Sequence, residues 1–258
     1  MGRILFLTAC VNPNGMAYTA LSNTNIRLEQ YQNALKWYLD NTSFPILIVE
    51  NTGYDFSCDF KHHVESGRLM CLTFAGNDFD RSLGKGYGEA KIMEYGFSHA
   101  SDFLKDKTIV KLTGRLTCAN INEIMATANK ELTVYADICN DDWGGIISSS
   151  TLVVAPTAFW TDYFLKGAEK LNDSKRYHFE HLLWDSIKLW KSMGRKHREF
   201  SIYPIMQGVS GTSGTPIPPP SKGTKIKYHL MHFLHRYFNY YGYLNPFYHG
   251  NPNFEIKR

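Results

Sequence analysis

The chain has 258 residues, of which 43% are hydrophobic and 20% are charged, and its formal net charge is +4 at pH 7. This composition excludes a disordered chain and predicts one large domain, or one domain with a small appendage, around an ample core. Five cysteines at irregular spacing, Cys10, Cys58, Cys71, Cys118 and Cys139, predict reduced thiols instead of a disulfide frame or a zinc site. No apolar run reaches the roughly 18 residues of a membrane span, and no leader precedes the first predicted strand, so we expect a cytoplasmic protein.

Short apolar runs alternate with helical patterns along the first half of the chain. The runs are Leu5–Thr8, Ile46–Asn51, Leu69–Phe74 and Ile109–Leu112, and Leu28–Leu39 is one of the helical segments between them. This alternation predicts an α/β fold with a mainly parallel central sheet. In open sheets of this kind, ligands bind beyond the carboxyl ends of the strands. The polar residues expected there are Asn12, Glu50, Asn51, Asn77, Asp78 and Arg115.

A glycine-rich stretch, Gly84-Lys85-Gly86-Tyr87-Gly88-Glu89, precedes a predicted helix with an apolar stripe of Ala90, Met93 and Phe97. Glycines let a loop bring its backbone N–H groups close to an anion, and Lys85 adds a positive charge. The helix N-terminus behind the loop would favour the same ligand. The spacing is neither that of a P-loop nor that of the dinucleotide fingerprint, and a plain tight connection is the alternative.

A second helix is predicted around Phe179, Leu182, Leu183 and Ile187, which repeat at helical spacing. Glu180 lies outside this apolar set, in the first turn. A glutamate there stabilises the helix dipole, which is the structural explanation for it, but its carboxylate is also free to face a cleft.

The order of these segments, with Arg27 on the first helix and Lys111-Leu112-Thr113-Gly114-Arg115 after the fourth run, resembles bacterial glycosyltransferases of the GT-A fold that build capsule or O-antigen polysaccharide. The resemblance implies one GT-A-like, Rossmann-like domain over residues 1–205. It also implies a nucleotide-diphosphate sugar as donor, a UDP-sugar by preference, and a glycan or lipid-linked acceptor. Galactose, galactofuranose, glucose and rhamnose are not distinguished.

Carried over residue by residue, the resemblance places Thr8 and Ala9 beside the base, Glu50 and Asn51 near the base or ribose, and Gly84–Gly88 near the diphosphate. The full set of predicted donor-binding residues is Thr8, Ala9, Glu50, Asn51, Gly84, Lys85, Gly86, Tyr87, Gly88, Lys111, Gly114, Arg115, Asp137, Gly208, Ser210 and Gly211.

The sequence departs from the family at its metal motif. Most GT-A enzymes carry Asp-x-Asp where this chain has Thr113-Gly114-Arg115. An arginine can neutralise a phosphate directly, so we expect no metal cofactor, with Mg²⁺ or Mn²⁺ as the less favoured alternative. The competing metal candidate is Asn140-Asp141-Asp142, which we interpret as a turn because it continues into Trp-Gly-Gly.

The resemblance also assigns chemistry to the second helix. Inverting enzymes of this family carry their catalytic base on a helix after the donor site, which implies that Glu180 is the base. His178 and His181 flank it and are predicted to contact the acceptor.

Residues 206–224 are rich in glycine, serine and proline, so we expect neither helix nor strand there but a linker or an active-site loop. Residues 225–258 form a basic amphipathic segment. Its predicted apolar face is Ile226, Leu230, Phe233, Leu234, Tyr237 and Tyr241, and its polar face is Lys225, His229, His232, Arg236 and Asn239. Such a segment either packs its apolar stripe on the domain or places residues 225–241 on an anionic membrane, here its inner face.

Two other functions stay open. A non-catalytic protein could use the basic segment to bind a membrane or nucleic acid, although no nucleic-acid-binding signature is present and we expect no such partner. A sugar nucleotidyltransferase would share the α/β layout, but it would normally need metal-binding carboxylates.

Overall fold

The computed structural model describes residues 1–16, 19–141, 143–211, 213–217 and 220–238. In chain order, strands β1 to β12 are Arg3–Ala9, Ile46–Glu50, Leu69–Thr73, Thr108–Thr113, Thr117–Cys118, Thr133–Tyr135, Ile138–Asn140, Ile146–Ser148, Leu152–Pro156, Lys196–Arg198, Met206–Val209 and Pro216–Ile217. Helices α1 to α8 are Thr24–Asn41, Lys61–Glu65, Gly84–His99, Ser101–Leu104, Ile121–Thr127, Thr157–Phe159, Phe179–Ser192 and Lys222–Phe238.

The central sheet has seven strands in the order β10-β6-β9-β4-β1-β2-β3. Strands β3, β2, β1 and β4 are parallel neighbours, with Leu5 of β1 opposite Ile46 of β2 and Val110 of β4. Strand β9 runs antiparallel to both β4 and β6, and β10 is parallel to β6. The predicted α/β fold with a mainly parallel central sheet is therefore confirmed.

Hydrophobic layers cover both faces of the sheet. Ile4 and Phe6 of β1 belong to a core shared with α3 and α7, whereas Leu5 and Leu7 belong to a core shared with α1 and α5. This alternation follows from the two-residue period of a strand. Helix α3 lies close to the sheet, because a Cβ at Gly96 would come within 2.5 Å of the Phe6 ring.

Two local predictions are wrong. The glycine-rich stretch is not a loop, because helix α3 already begins at Gly84. The described part of segment 206–224 is not irregular throughout: β11 pairs antiparallel with β5 and β12, and α8 begins at Lys222. Backbone pairing with β5, which is far away in the sequence, supplies the order that local composition does not favour. Asn239 and Tyr241 lie outside the described residues.

Candidate functional site

A buried polar network links β1, α3 and β4 at the carboxyl edge of the sheet. The Lys111 ammonium lies 2.7 Å from Glu89 Oε1, and the Thr8 hydroxyl donates to the same oxygen at 2.9 Å. The Lys111 side chain is 0% exposed, so its charge is compensated inside the protein. The structure thus places this predicted donor-binding residue beneath the site and not at its surface.

The network continues to the candidate base. Lys111 Nζ donates to the backbone carbonyl of Ser150 at 2.6 Å and lies 4.9 Å from the centre of the Phe179 ring. The Ser150 hydroxyl donates to Glu180 Oε1 at 2.5 Å. Glu180 is half-buried in the first turn of α7, as the helical pattern predicted. Its carboxylate is therefore held by a neighbouring loop while part of it stays open to solvent.

Glu50 is the last residue of β2 and Asn51 follows it, and both contact the adjoining loops. Glu50 is fully buried, and its carboxylate accepts the backbone N–H groups of Val11, Thr52 and Tyr54 at 2.7–2.9 Å. Asn51 is 2% exposed, and its Oδ1 has no hydrogen-bond partner among the residues that the structure describes. Ala9 is also buried, and its carbonyl accepts the N–H of Asn51.

The glycines at the start of α3 allow close packing. A Cβ at Gly84, whose φ is +83°, would lie 2.0 Å from Asp173 Oδ2, and one at Gly86 would lie 2.9 Å from the Phe179 nitrogen. At Gly88, a Cβ would meet Phe79 at 2.9 Å. Gly84 and Gly86 therefore bring α3 against the chain that leads into α7, and Gly88 makes room for the Phe79 ring, reasons that the sequence did not reveal.

Lys85 and Tyr87 point to different surroundings. Burial lowers the pKa of the Lys85 ammonium, and this effect is opposed by the carboxylates of Glu180, Asp173 and Glu89. Its backbone N–H donates to Asp173 Oδ2 at 3.0 Å. The Tyr87 ring instead contacts Phe79 and the Lys91 ammonium. Lys85 therefore belongs to the same site as Glu180, whereas the contacts of Tyr87 lie elsewhere.

Arg115 lies under the hairpin formed by β11 and β12. Its Nη1 donates to the Val209 carbonyl at 3.0 Å, and a Cβ at Gly211 would come within 2.1 Å of its Nη2. Its Nε is buried and has no hydrogen-bond partner in the described part of the chain. The positive charge of Arg115 also lowers the pKa of Lys85, as the smallest of several effects on that ammonium.

Three small residues let the chain pass closely around Arg115. A Cβ at Gly114 would lie 2.6 Å from the Thr8 carbonyl oxygen, and one at Gly208, where φ is +131°, would lie 2.8 Å from Leu116. Ser210 closes the hairpin by donating its N–H to the Thr215 carbonyl at 2.9 Å. These contacts explain both glycines by packing, and their predicted approach to a phosphate stays a prediction.

The two histidines beside Glu180 each pair with an aspartate. His178 Nδ1 lies 3.0 Å from Asp173, and this hydrogen bond raises the His178 pKa. His181 Nε2 lies 3.1 Å from Asp141 Oδ2. Burial alone would raise the pKa of Asp141, but hydrogen bonds from the Gly145 N–H, His181 and the Trp143 N–H outweigh it and lower the pKa.

Asp141 therefore acts as a turn residue, as predicted, while Asp142 lies outside the described residues. Over the described ranges, no group of three metal-binding side chains lies together. The Asp137 side chain contacts two other segments: its Oδ1 accepts the Phe200 N–H at 3.0 Å and lies 3.3 Å from His232 Nε2 of α8. The structure thus gives this predicted donor-binding residue a role in attaching α8.

Sequence reasoning missed several members of the site. Ser150, Asp173 and Glu89 contact predicted residues only because distant segments meet, and no local pattern signals them. Trp143 is exposed, its ring stacks at 6.0 Å on His178, and Arg176 lies 4.8 Å from its centre. An exposed tryptophan in a turn next to polar residues was the one available signal.

The known proteins that this chain resembles are solved structures of low sequence identity. A nucleotide-diphospho-sugar transferase from Desulfovibrio desulfuricans G20 is similar at 9% identity and a TM-score of 0.43, covering 77% of this chain and 80% of that chain. A 4-diphosphocytidyl-2C-methyl-D-erythritol synthase is similar at 9% identity and a TM-score of 0.43, covering 89% of this chain and 98% of that chain. The inositol-1-phosphate CTP transferase from T. maritima is similar at 10% identity and a TM-score of 0.40, covering 77% of this chain and 85% of that chain. No protein-family model and no curated protein matches the sequence. Similarities of this size do not identify a reaction or a substrate.

Proposed function

We propose that the protein is an inverting glycosyltransferase that moves a sugar from a nucleotide-diphosphate donor, a UDP-sugar by preference, to a hydroxyl of a glycan or lipid-linked acceptor. One observation carries the proposal. The network of Thr8, Glu89, Lys111 and Ser150 joins the start of α3, which carries Lys85, to Glu180, and Gly114 packs the segment of Arg115 against Thr8. Two cations, Lys85 and Arg115, and one carboxylate, Glu180, therefore lie around a common region at the carboxyl edge of the central sheet. Ligands of open α/β sheets bind at that edge.

The two cations suit a diphosphate. Burial lowers the pKa of Lys85 while Glu180, Asp173 and Glu89 oppose this effect, and a bound diphosphate would add negative charge that favours the ammonium form. Arg115 has a buried Nε without a hydrogen-bond partner among the described residues, and a phosphate oxygen could accept its proton. Charge-assisted bonds of this kind would neutralise a leaving diphosphate directly. They would take the place of a metal ion, because Thr113-Gly114-Arg115 offers no carboxylate to hold one.

Glu180 suits a general base. In an inverting transfer, the acceptor hydroxyl gives its proton to the Glu180 carboxylate while its oxygen forms a bond to the anomeric carbon. The bond from that carbon to the diphosphate oxygen breaks, and its electron pair leaves with the nucleotide diphosphate. Ser150 holds one carboxylate oxygen at 2.5 Å, which fixes the direction of the base.

Sugar nucleotidyl transfer is the competing reaction, and the products distinguish the two. The protein is incubated with UDP-, GDP- and dTDP-sugars, with and without EDTA, and free nucleoside diphosphate is measured. In parallel, it receives nucleoside triphosphates with sugar phosphates, and pyrophosphate is measured. Our proposal expects nucleoside diphosphate release from one donor class, by transfer or by slow hydrolysis, that survives EDTA.

Pyrophosphate release that requires a divalent cation would contradict the proposal and favour a nucleotidyltransferase. Absence of turnover and of nucleotide binding by calorimetry would favour a non-catalytic protein. Arg115→Ala is the companion variant, because it removes a predicted diphosphate contact without touching Glu180. It should weaken nucleotide binding.

A further inference from the structure

Helix α8 is attached to the domain by its polar side. The Tyr228 and His232 rings lie 5.1 and 5.7 Å from the Tyr203 ring. His232 is 7% exposed and pairs with Asp137 at 3.3 Å. The residues that hold this helix are therefore aromatic and polar, and the contact between His232 and Asp137 fixes its rotation about its own axis.

The opposite side of α8 is apolar and turned outward. Ile226, Leu230 and Phe233 are 70%, 56% and 51% exposed, and their spacing of four and three residues places them on one face. Surface helices of globular proteins normally turn such a stripe toward the core. The sequence left two alternatives, packing of this stripe on the domain or exposure of it to a membrane. In the structure, these three side chains are not packed on the domain.

The charge of α8 is of one sign. The sequence Lys222–Phe238 contains no aspartate or glutamate, and Lys222, Lys225 and Lys227 are all exposed. An exposed apolar stripe beside lysines is the pattern of a helix that lies in the interface of an anionic bilayer. No helix among the described residues has the length and apolar character needed to cross a membrane.

We propose that α8 docks the protein on an anionic lipid surface. Ile226, Leu230 and Phe233, the apolar face, enter the boundary between headgroups and acyl chains, and Lys222, Lys225 and Lys227 contact the lipid phosphates. Charge complementarity selects this occupant, because a uniformly basic helix repels a second copy of itself. The inference rests on α8 alone and stands whether or not the proposed sugar transfer is correct.

The test is vesicle flotation with the full chain. Vesicles of phosphatidylcholine with 30% phosphatidylglycerol are compared with phosphatidylcholine alone, at low and high salt. We expect binding to the anionic vesicles only. Lys222→Gln, Lys225→Gln and Lys227→Gln together should lower the partition coefficient by about 100-fold, at roughly fivefold per lysine. Ile226→Ser, Leu230→Ser and Phe233→Ser together should lower it by at least about 100-fold.

A matched control keeps the test specific. Leu189 and Met193, near the end of α7, are 52% and 63% exposed, and replacing both by serine should leave vesicle binding unchanged. Wild-type protein that ignores anionic vesicles, or an apolar-face variant that binds them as well as wild type, would overturn the proposal. Light scattering that finds a wild-type dimer and a monomeric apolar-face variant would also overturn it, in favour of a second copy on this face.

Discussion

Replacing Lys111 by methionine tests the buried network that supports the candidate base. The substitution keeps the length of the side chain but removes the ammonium that lies 2.7 Å from Glu89 and 2.6 Å from the Ser150 carbonyl. Glu89, whose side chain is only 22% exposed, then keeps its hydrogen bond from the Thr8 hydroxyl but loses the ammonium that lay 2.7 Å away.

Breaking a buried ion pair by removing one partner costs about 3–5 kcal/mol, and the partial exposure of Glu89 places the expected loss near the lower end. In a chain of this size, a loss of about 3 kcal/mol lowers the melting temperature by roughly 6–12 °C. Urea unfolding gives the free energy, and thermal unfolding gives the shift. Because Lys111 also holds Ser150, we expect turnover to fall further than donor affinity.

Two further variants decide whether the buried charge is the cause. Lys36→Met breaks an exposed pair with Asp40, so its free energy of unfolding should change by less than about 0.5 kcal/mol. Adding Glu89→Gln to Lys111→Met removes the stranded charge and should recover part of the loss. A loss below about 1 kcal/mol for Lys111→Met, or a double variant no more stable than the single one, would refute the reasoning.

Three other variants probe the site. Arg115→Ala should weaken UDP binding by about 1.5–3 kcal/mol in calorimetry, and an unchanged affinity would remove Arg115 from the diphosphate site. Gly84→Ala should lower the free energy of unfolding in urea by at least about 3 kcal/mol, because the φ of Gly84 is +83° and the new Cβ would meet Asp173. Gly144 has the same φ but open space around it, so Gly144→Ala should lower the free energy of unfolding by only about 1–2 kcal/mol. Equal losses would contradict the packing argument. Pairing with Asp173 raises the pKa of His178, so the stabilising effect of this pair is complete below the ordinary histidine pKa and fades as the pH rises. His178→Gln should therefore lower the melting temperature more at pH 5.5 than at pH 8.5. A loss of melting temperature that grows with pH would contradict this prediction.

Periodicity was sufficient to predict the strands of the parallel sheet and the helix that carries Glu180. Apolar runs and helical stripes are local signals, and the structure keeps them. The glycines at the start of α3 show the limit of such signals. The packing of Gly84 and Gly86 depends on Asp173 and Phe179, which lie far along the chain and reach α3 only after folding.

The same limit explains the other differences. Composition alone made 206–224 look irregular, but pairing of Met206 with Cys118 orders it as a strand. The contact of Asp137 with His232 of α8 was also not predicted, while its role in donor binding stays a prediction. In both cases a contact between distant segments, which no local pattern records, decides the outcome.

The most direct test of the central claim is the turnover of Glu180→Gln together with the configuration of the wild-type product. The variant keeps the shape of the side chain and its contact with Ser150 but cannot accept a proton. We expect turnover to fall by about 10²- to 10⁴-fold with nearly unchanged donor affinity, and NMR should show that wild type inverts the anomeric centre. Ser150→Ala should give a smaller fall, since it only positions the base. A Glu180→Gln variant that keeps most of its turnover, or a product that retains the donor configuration, would contradict the account.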